Sequence, residues 1–136
     1  MKPSEGILIG AQIRPQGFDR LFTDNDGVIC SCVWGAFLEA NRPDAFQFAA
    51  YYVNDMPDVR ELNLYVDVGI DLRTLLTLEQ KYDLLKFLRS DNSYVDYDVP
   101  ITYFDGNTLL EIGIKLNDYY KVPRERIAAL FASWGM

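Results

Sequence analysis

The sequence predicts a mostly helical α+β fold, with N- and C-terminal helices around one core and a small two- or three-stranded sheet from the middle of the chain. Three observations carry this reading. Apolar residues recur at helical spacing near both ends, two Thr-initiated capping boxes mark helix starts, and one central run alternates strictly between apolar and polar residues. With 136 residues, 49% apolar and 24% charged, the chain has the size and composition of one folded domain, residues 1–136, and not of a disordered tail.

Pro3 fits a first helical turn, and Ser4 and Glu5 favour its start. Ile7, Leu8 and Ile13 then share one face until Arg14-Pro15 stops the helix. The Asx-rich loop Thr23-Asp24-Asn25-Asp26-Gly27 leads into a helix from Val28 to Ala40, whose Val33, Trp34, Phe37 and Leu38 fit a buried position, and Asn41 and Pro43 end it. Asp44 caps a further helix through Ala45, Phe48, Ala49, Tyr52 and Val53, broken at Met56-Pro57.

Leu62, Leu64, Val66, Val68 and Ile70 alternate with polar or small residues, the period of a strand with one buried face. Thr77 with Gln80 forms a capping box, and Leu78, Tyr82, Leu85 and Leu88 follow at helical spacing. Val95 to Tyr103 reads as a second extended segment, kept to a sheet edge by Pro100. A second capping box, Thr108 with Glu111, opens a helix with Leu109, Ile112 and Leu116 inward, ending near Tyr119-Tyr120. Pro123 starts the last helix, Arg124 to Trp134, with Ile127, Leu130, Phe131 and Trp134 buried and Gly135 beyond its end.

The chain carries 20 acidic and 13 basic residues, a formal charge of −7. Residues 55–105 hold most of it, with 11 acids against 5 bases. Such a molecule repels phosphate backbones, which disfavours general nucleic-acid binding. There is no histidine, so the side chain most used for proton transfer near neutral pH and for transition-metal ligation is missing. Cys30 and Cys32 are too few for a disulfide framework or a zinc site and read as small buried hydrophobes in a reducing, cytoplasmic setting. Neither a signal peptide nor a membrane-spanning run is expected from the apolar pattern. No cofactor or metal is implied.

The stretch Leu21-Phe22-Thr23-Asp24-Asn25-Asp26-Gly27-Val28-Ile29 resembles the nucleophile motif of haloacid dehalogenase-type phosphatases, which implies that Asp24 attacks phosphorus and Asp26 protonates, with Asp67 and Asp71 as the metal-binding pair. That family's fold needs a doubly wound parallel sheet, for which the stretch between the two acidic pairs is too short. The same loop matches an EF-hand in part, but Phe22 replaces the first ligand and Val33 the bidentate glutamate. An Asx-rich turn capping the next element accounts for these residues without chemistry.

Near the C-terminus, Leu116 to Leu130 can be laid on the helix-turn-helix pattern, with Leu116, Val122, Ile127 and Leu130 buried and Lys121, Arg124 and Arg126 offered to DNA. Asn117 stands where a small residue is usual and Lys121 where the turn has glycine. A plain helical hairpin packed onto the core meets the same pattern.

Lys2 to Gln16 followed by Cys32 to Ala40, together with Leu116-Asn117-Asp118, Arg124 to Ala128 and Trp134, resembles a family of short uncharacterised bacterial proteins. The resemblance covers about half of the chain, at its two ends, and implies no activity and no site residues.

The functional expectation is a non-enzymatic protein-binding or regulatory module. A helix-turn-helix DNA binder is the alternative and an acidic-site hydrolase the third reading. The expected partner is a protein with a basic surface, or a second copy of the chain, met by the acidic and aromatic edge Tyr94, Asp96, Tyr97 and Asp98. The same charges would also guard a strand edge against aggregation.

Overall fold

A computed structural model describes residues 1–45, 71–90 and 99–136. Among the described residues the fold is mostly helical with one small antiparallel sheet, the predicted class. In chain order the elements are α1 (Pro3–Ala11), β1 (Phe22–Asn25), β2 (Val28–Ser31), α2 (Val33–Asn41), α3 (Leu78–Arg89), a 3-10 turn (Ile101–Phe104), α4 (Leu109–Ile114), a π turn (Lys115–Tyr119) and α5 (Arg124–Ser133). The helix expected from Asp44 to Val53 lies, beyond residue 45, outside the described residues, as do the strand over Leu62–Ile70 and the start of the segment Val95–Tyr103.

The helix predicted from Val28 is a correction. Residues 22–31 form a hairpin, with Phe22 opposite Ser31 and Asn25 opposite Val28. The two residues between the strands, Asp26 and Gly27, have φ of 53° and 86°. Both central residues left-handed is the two-residue turn whose twist matches a hairpin, and Asp-Gly favours it. Asp24 Oδ1 accepts from Gly27 N at 2.7 Å, so the Asx turn is present but serves a hairpin. A third segment joins β2, with Gly17 N donating to Ser31 O at 2.8 Å and Ser31 N to Pro15 O at 2.9 Å. Among the described residues the sheet thus lies before α2. The described part of the second expected strand is likewise a 3-10 turn, Ile101–Phe104, entered from Pro100.

Only after Cys32 does the helix start. Cys32 is its N-cap, and Sγ accepts from Gly35 N at 3.4 Å. Val33 to Glu39 are all buried, the signature of a helix surrounded by protein. Trp34 is fully buried. Its ring stands edge-on to Phe37 and stacked on Phe131, each with centroids 6.0 Å apart, and its Nε1 donates to Leu110 O at 3.0 Å. The indole therefore ties α2 to α4 and α5, as an N–H buried in a core requires a partner.

Packing of α1 on α2 keeps only part of the predicted face. Ile7 is buried, but Leu8 and Ile13 are 43% and 51% exposed. The inward face instead holds Pro3, Ser4, Gly6, Ile7 and Gly10. A Cβ at Gly10 would run into the Ala36 backbone, so the missing side chain lets the two helices approach backbone to backbone.

Both halves of the Thr77/Gln80 capping box are made, at 3.1 and 3.0 Å. Leu84, Leu85 and Leu88 are the buried side of α3, while Leu78 and Tyr82 are 62% and 59% exposed. Thr108 Oγ1 accepts from Glu111 N at 3.2 Å and starts α4. At the far end, Gly135 (φ 76°) lets its own N–H reach Ala132 O and Met136 N reach Phe131 O, each at 3.0 Å, the paired bonds of a Schellman stop. The core draws Ile7, Trp34, Phe37, Leu88, Ile112 and Phe131 into one cluster, so the expected core of N- and C-terminal helices is present.

Candidate functional site

Between α4 and α5 the chain widens into the π turn, which puts both Leu116 and Asn117 inside. The turn closes with Tyr120 N on Lys115 O and Val122 N on Leu116 O, at 3.0 and 2.9 Å. This reach of five and six residues forces Lys121 into a left-handed conformation, φ 55°. A side chain there costs about 1 kcal/mol relative to glycine.

Asn117 is fully buried and uses both ends of its amide. Oδ1 accepts from Gln16 Nε2 at 2.9 Å and from Val33 N at 3.1 Å, and Nδ2 donates to Gly17 O at 2.9 Å and Asp118 Oδ1 at 2.7 Å. Gln16 also donates to Val122 O at 2.9 Å. One side chain thereby closes the helix start of α2, the segment after α1 and the π turn on each other.

Arg124 is 3% exposed. Nη1 donates to the carbonyl and hydroxyl oxygens of Ser31 at 3.0 and 2.7 Å, and Nη2 to Arg14 O at 2.6 Å. Arg14 in turn holds the buried Glu39 carboxylate at 3.0 Å through both oxygens. These polar groups are spent on holding chain segments together. Cys32 is inert for the same reason: burial pushes its thiol up to about 12, leaving no thiolate to act as a nucleophile.

The predicted DNA-facing set separates accordingly. Arg124 points into the protein, a correction to its placement on a recognition surface, because its guanidinium fills acceptors that would otherwise be orphaned. Arg126 lies over the Phe87 ring at 5.1 Å. Lys121 is exposed, with Nζ 4.0 Å from the centroid of Phe18. The edge Tyr94, Asp96, Tyr97 and Asp98 lies outside the described residues. Asp24, the nucleophile of the phosphatase resemblance, sits on an antiparallel hairpin strand, not at the end of a parallel one.

Two concavities were not foreseen. A polar one of about 420 Å³ lies between the loop after Gly17, strand β1 and the π turn, lined by Phe18, Asp19, Arg20, Thr23, Asn25 and Lys121. A groove of about 360 Å³ runs between α1 and α5, with Leu8, Ala128, Ala129 and Ala132 on its floor and Lys2, Glu5 and Glu125 among its polar lining. The signal for the groove was readable as Glu125, Ala128, Ala129 and Ala132 recurring on one helical face.

Among known protein families, curated proteins and solved structures, none matches this chain.

The chemistry therefore rests on geometry alone. Leu8, Ile9 and Ile13 are 43%, 47% and 51% exposed along one side of α1 and the turn after it. Leu8 belongs both to this apolar strip and to the groove.

Proposed function

We propose that this protein is a non-enzymatic binding module that takes an amphipathic, basic segment of a partner protein on α1 and α5. The observation that carries it is the apolar strip Leu8, Ile9 and Ile13 running into a groove floored by alanines. Exposed apolar surface bordered by charge is the pattern of a docking face. Small side chains on α5 leave room for an approaching helix, whose large apolar residues would fill the groove. Glu5 and Glu125 beside it, in a chain of charge −7, complement a basic rim and would speed its encounter.

The test places a photo-crosslinking amino acid at Leu8 in cells that make the protein. The expected result is a discrete adduct with a protein bearing a basic amphipathic helix, lost in a Glu5→Lys/Glu125→Lys variant whose thermal unfolding is unchanged. Adducts that persist in that variant, or none at all, would refute the reading. An adduct of two identical chains would assign the face to self-association instead.

A further inference from the structure

We propose that the polar cavity beside the π turn binds a small phosphate ester carrying a hydroxyl group, with Lys121 and Arg20 on the phosphate and Asp19 accepting from the hydroxyl. Three separate stretches of chain meet there: residues 18–20, strand β1 and the turn at Lys121. Thr23 and Asn25 are two apart on β1 and so face the same side. The Thr23 hydroxyl oxygen is buried and the Asn25 amide donates to Cys30 Sγ at 3.6 Å, so the donors the cavity offers an anion are its two cations, Arg20 and Lys121. That donor set suits a phosphate oxygen, which takes several charge-assisted hydrogen bonds at once. The volume of about 420 Å³ falls in the range of small-molecule pockets, and the chain's charge of −7 repels polymeric phosphates.

Lys121 is the decisive residue. Its backbone adopts a conformation that glycine takes at lower cost. The side chain nevertheless occupies it, and its ammonium is held over Phe18 at the cavity wall. Asp19 is a second non-glycine residue with positive φ, 70°, and it lines the same cavity. Both side chains are thus retained against their backbone preference at one place, as happens where strain serves a site.

The experiment titrates the isotope-labelled protein with glycerol 3-phosphate at constant ionic strength and follows backbone amide resonances. Saturable shifts are expected at Phe18, Asp19, Arg20, Asn25 and Lys121. Lys121→Gly relieves the backbone, so this variant should melt no lower than the wild type while binding about tenfold more weakly or worse, the cost of one charge-assisted contact. Lys121→Arg should retain binding. Absence of saturation, equal binding by Lys121→Gly, or identical shifts from chloride at matched ionic strength would each overturn the site. Equal affinity for inorganic phosphate would overturn the role given to Asp19.

Discussion

Arg124 and Ser31, 93 residues apart in sequence, are joined by two hydrogen bonds from a single guanidinium nitrogen, to the carbonyl at 3.0 Å and to the hydroxyl at 2.7 Å. The other terminal nitrogen holds Arg14 O at 2.6 Å. A guanidinium reaches acceptors from two separate nitrogens held in a rigid planar fork, whereas an ammonium offers its three donors from a single atom on a flexible stem. The β2 strand, the segment after α1 and the first turn of α5 therefore share one donor.

Replacing that donor tests the clamp. Arg124→Lys keeps the charge but leaves at least one buried acceptor unmet, so urea unfolding should show a loss of about 2 kcal/mol. Arg126→Lys, at a part-exposed side chain that overlies Phe87, should change stability by less than about 0.5 kcal/mol. Equal effects from the two would show that Arg124 is not the tie described.

The Asn117 amide makes a sharper demand, because its oxygen and nitrogen face opposite kinds of partner. Asn117→Asp is nearly isosteric, yet it would set a carboxylate oxygen against Gly17 O and the Asp118 carboxylate. Near pH 7 the variant should be destabilised by about 3 kcal/mol, the cost of a buried charge facing acceptors. Burial and Asp118 would raise the new carboxyl above its unfolded value, so the deficit should shrink as pH falls and the group takes up a proton. Denaturant midpoints at pH 7 and pH 4.5, each against wild type, measure this. A deficit that grows toward acid would contradict the assignment of the amide.

Which parts of this were legible in the sequence follows from the range of the forces involved. Thr77/Gln80, Thr108 and Gly135 act within a few residues, and their helix ends fall where the local pattern puts them. The hairpin is also locally signalled by Asp26-Gly27, but the apolar run from Val28 onward outweighs that turn and reads as a helix. The buried face of α1 is not legible in its hydropathy, because Gly6 and Gly10 carry no such signal. Their importance comes from the backbone of α2, which no window around residue 10 contains. Arg124 and Asn117 looked like surface or misfitting residues of a helix-turn-helix, since their partners Ser31, Arg14 and Gln16 are about a hundred positions away. The alanine face of α5 is local to the sequence, but the groove it lines and the polar cavity at the left-handed Lys121 form only once distant segments have met.

Close approach of α1 and α2 gives a third prediction. In an ordinary exposed helix Gly→Ala is stabilising by about 1 kcal/mol. Gly10→Ala should reverse this sign and cost about 2 kcal/mol or more, because its methyl meets Ala36 backbone, which cannot turn aside as a side chain could. Gly106→Ala offers the contrast: nothing lies within 4 Å, and only the positive φ of 76° opposes it, a cost of about 1 kcal/mol. Thermal melts of the two variants that rank in the opposite order would remove the backbone contact from the account of this interface.

The last prediction concerns alkaline pH and Cys32. Its thiol is raised from an ordinary 9.0 to about 12, chiefly by burial, with Asp118 adding to the rise and the Gly35 amide opposing it. The folded protein therefore keeps this proton after the unfolded chain has begun to lose it. Stability from this source is fully present below pH 9 and drains away as pH climbs toward 12, at up to about 1.4 kcal/mol for each pH step between the two values. Tyr120, raised to about 12 mainly by burial and then by Tyr103 and Tyr119, works in the same direction from pH 10 upward. A Cys32→Ala variant retains only the tyrosine contribution. It should be less stable than wild type at pH 8, where the lost sulfur leaves a small void and an uncapped Gly35 amide, and the gap should narrow by about 2 kcal/mol by pH 10.5. Urea midpoints at the two pH values measure the gap. A thiol-specific colorimetric reagent at pH 8 supplies the independent readout: Cys32 should react no faster than the protein unfolds, and prompt modification of the native wild type at that position would show the thiol to be accessible and the alkaline argument unsound.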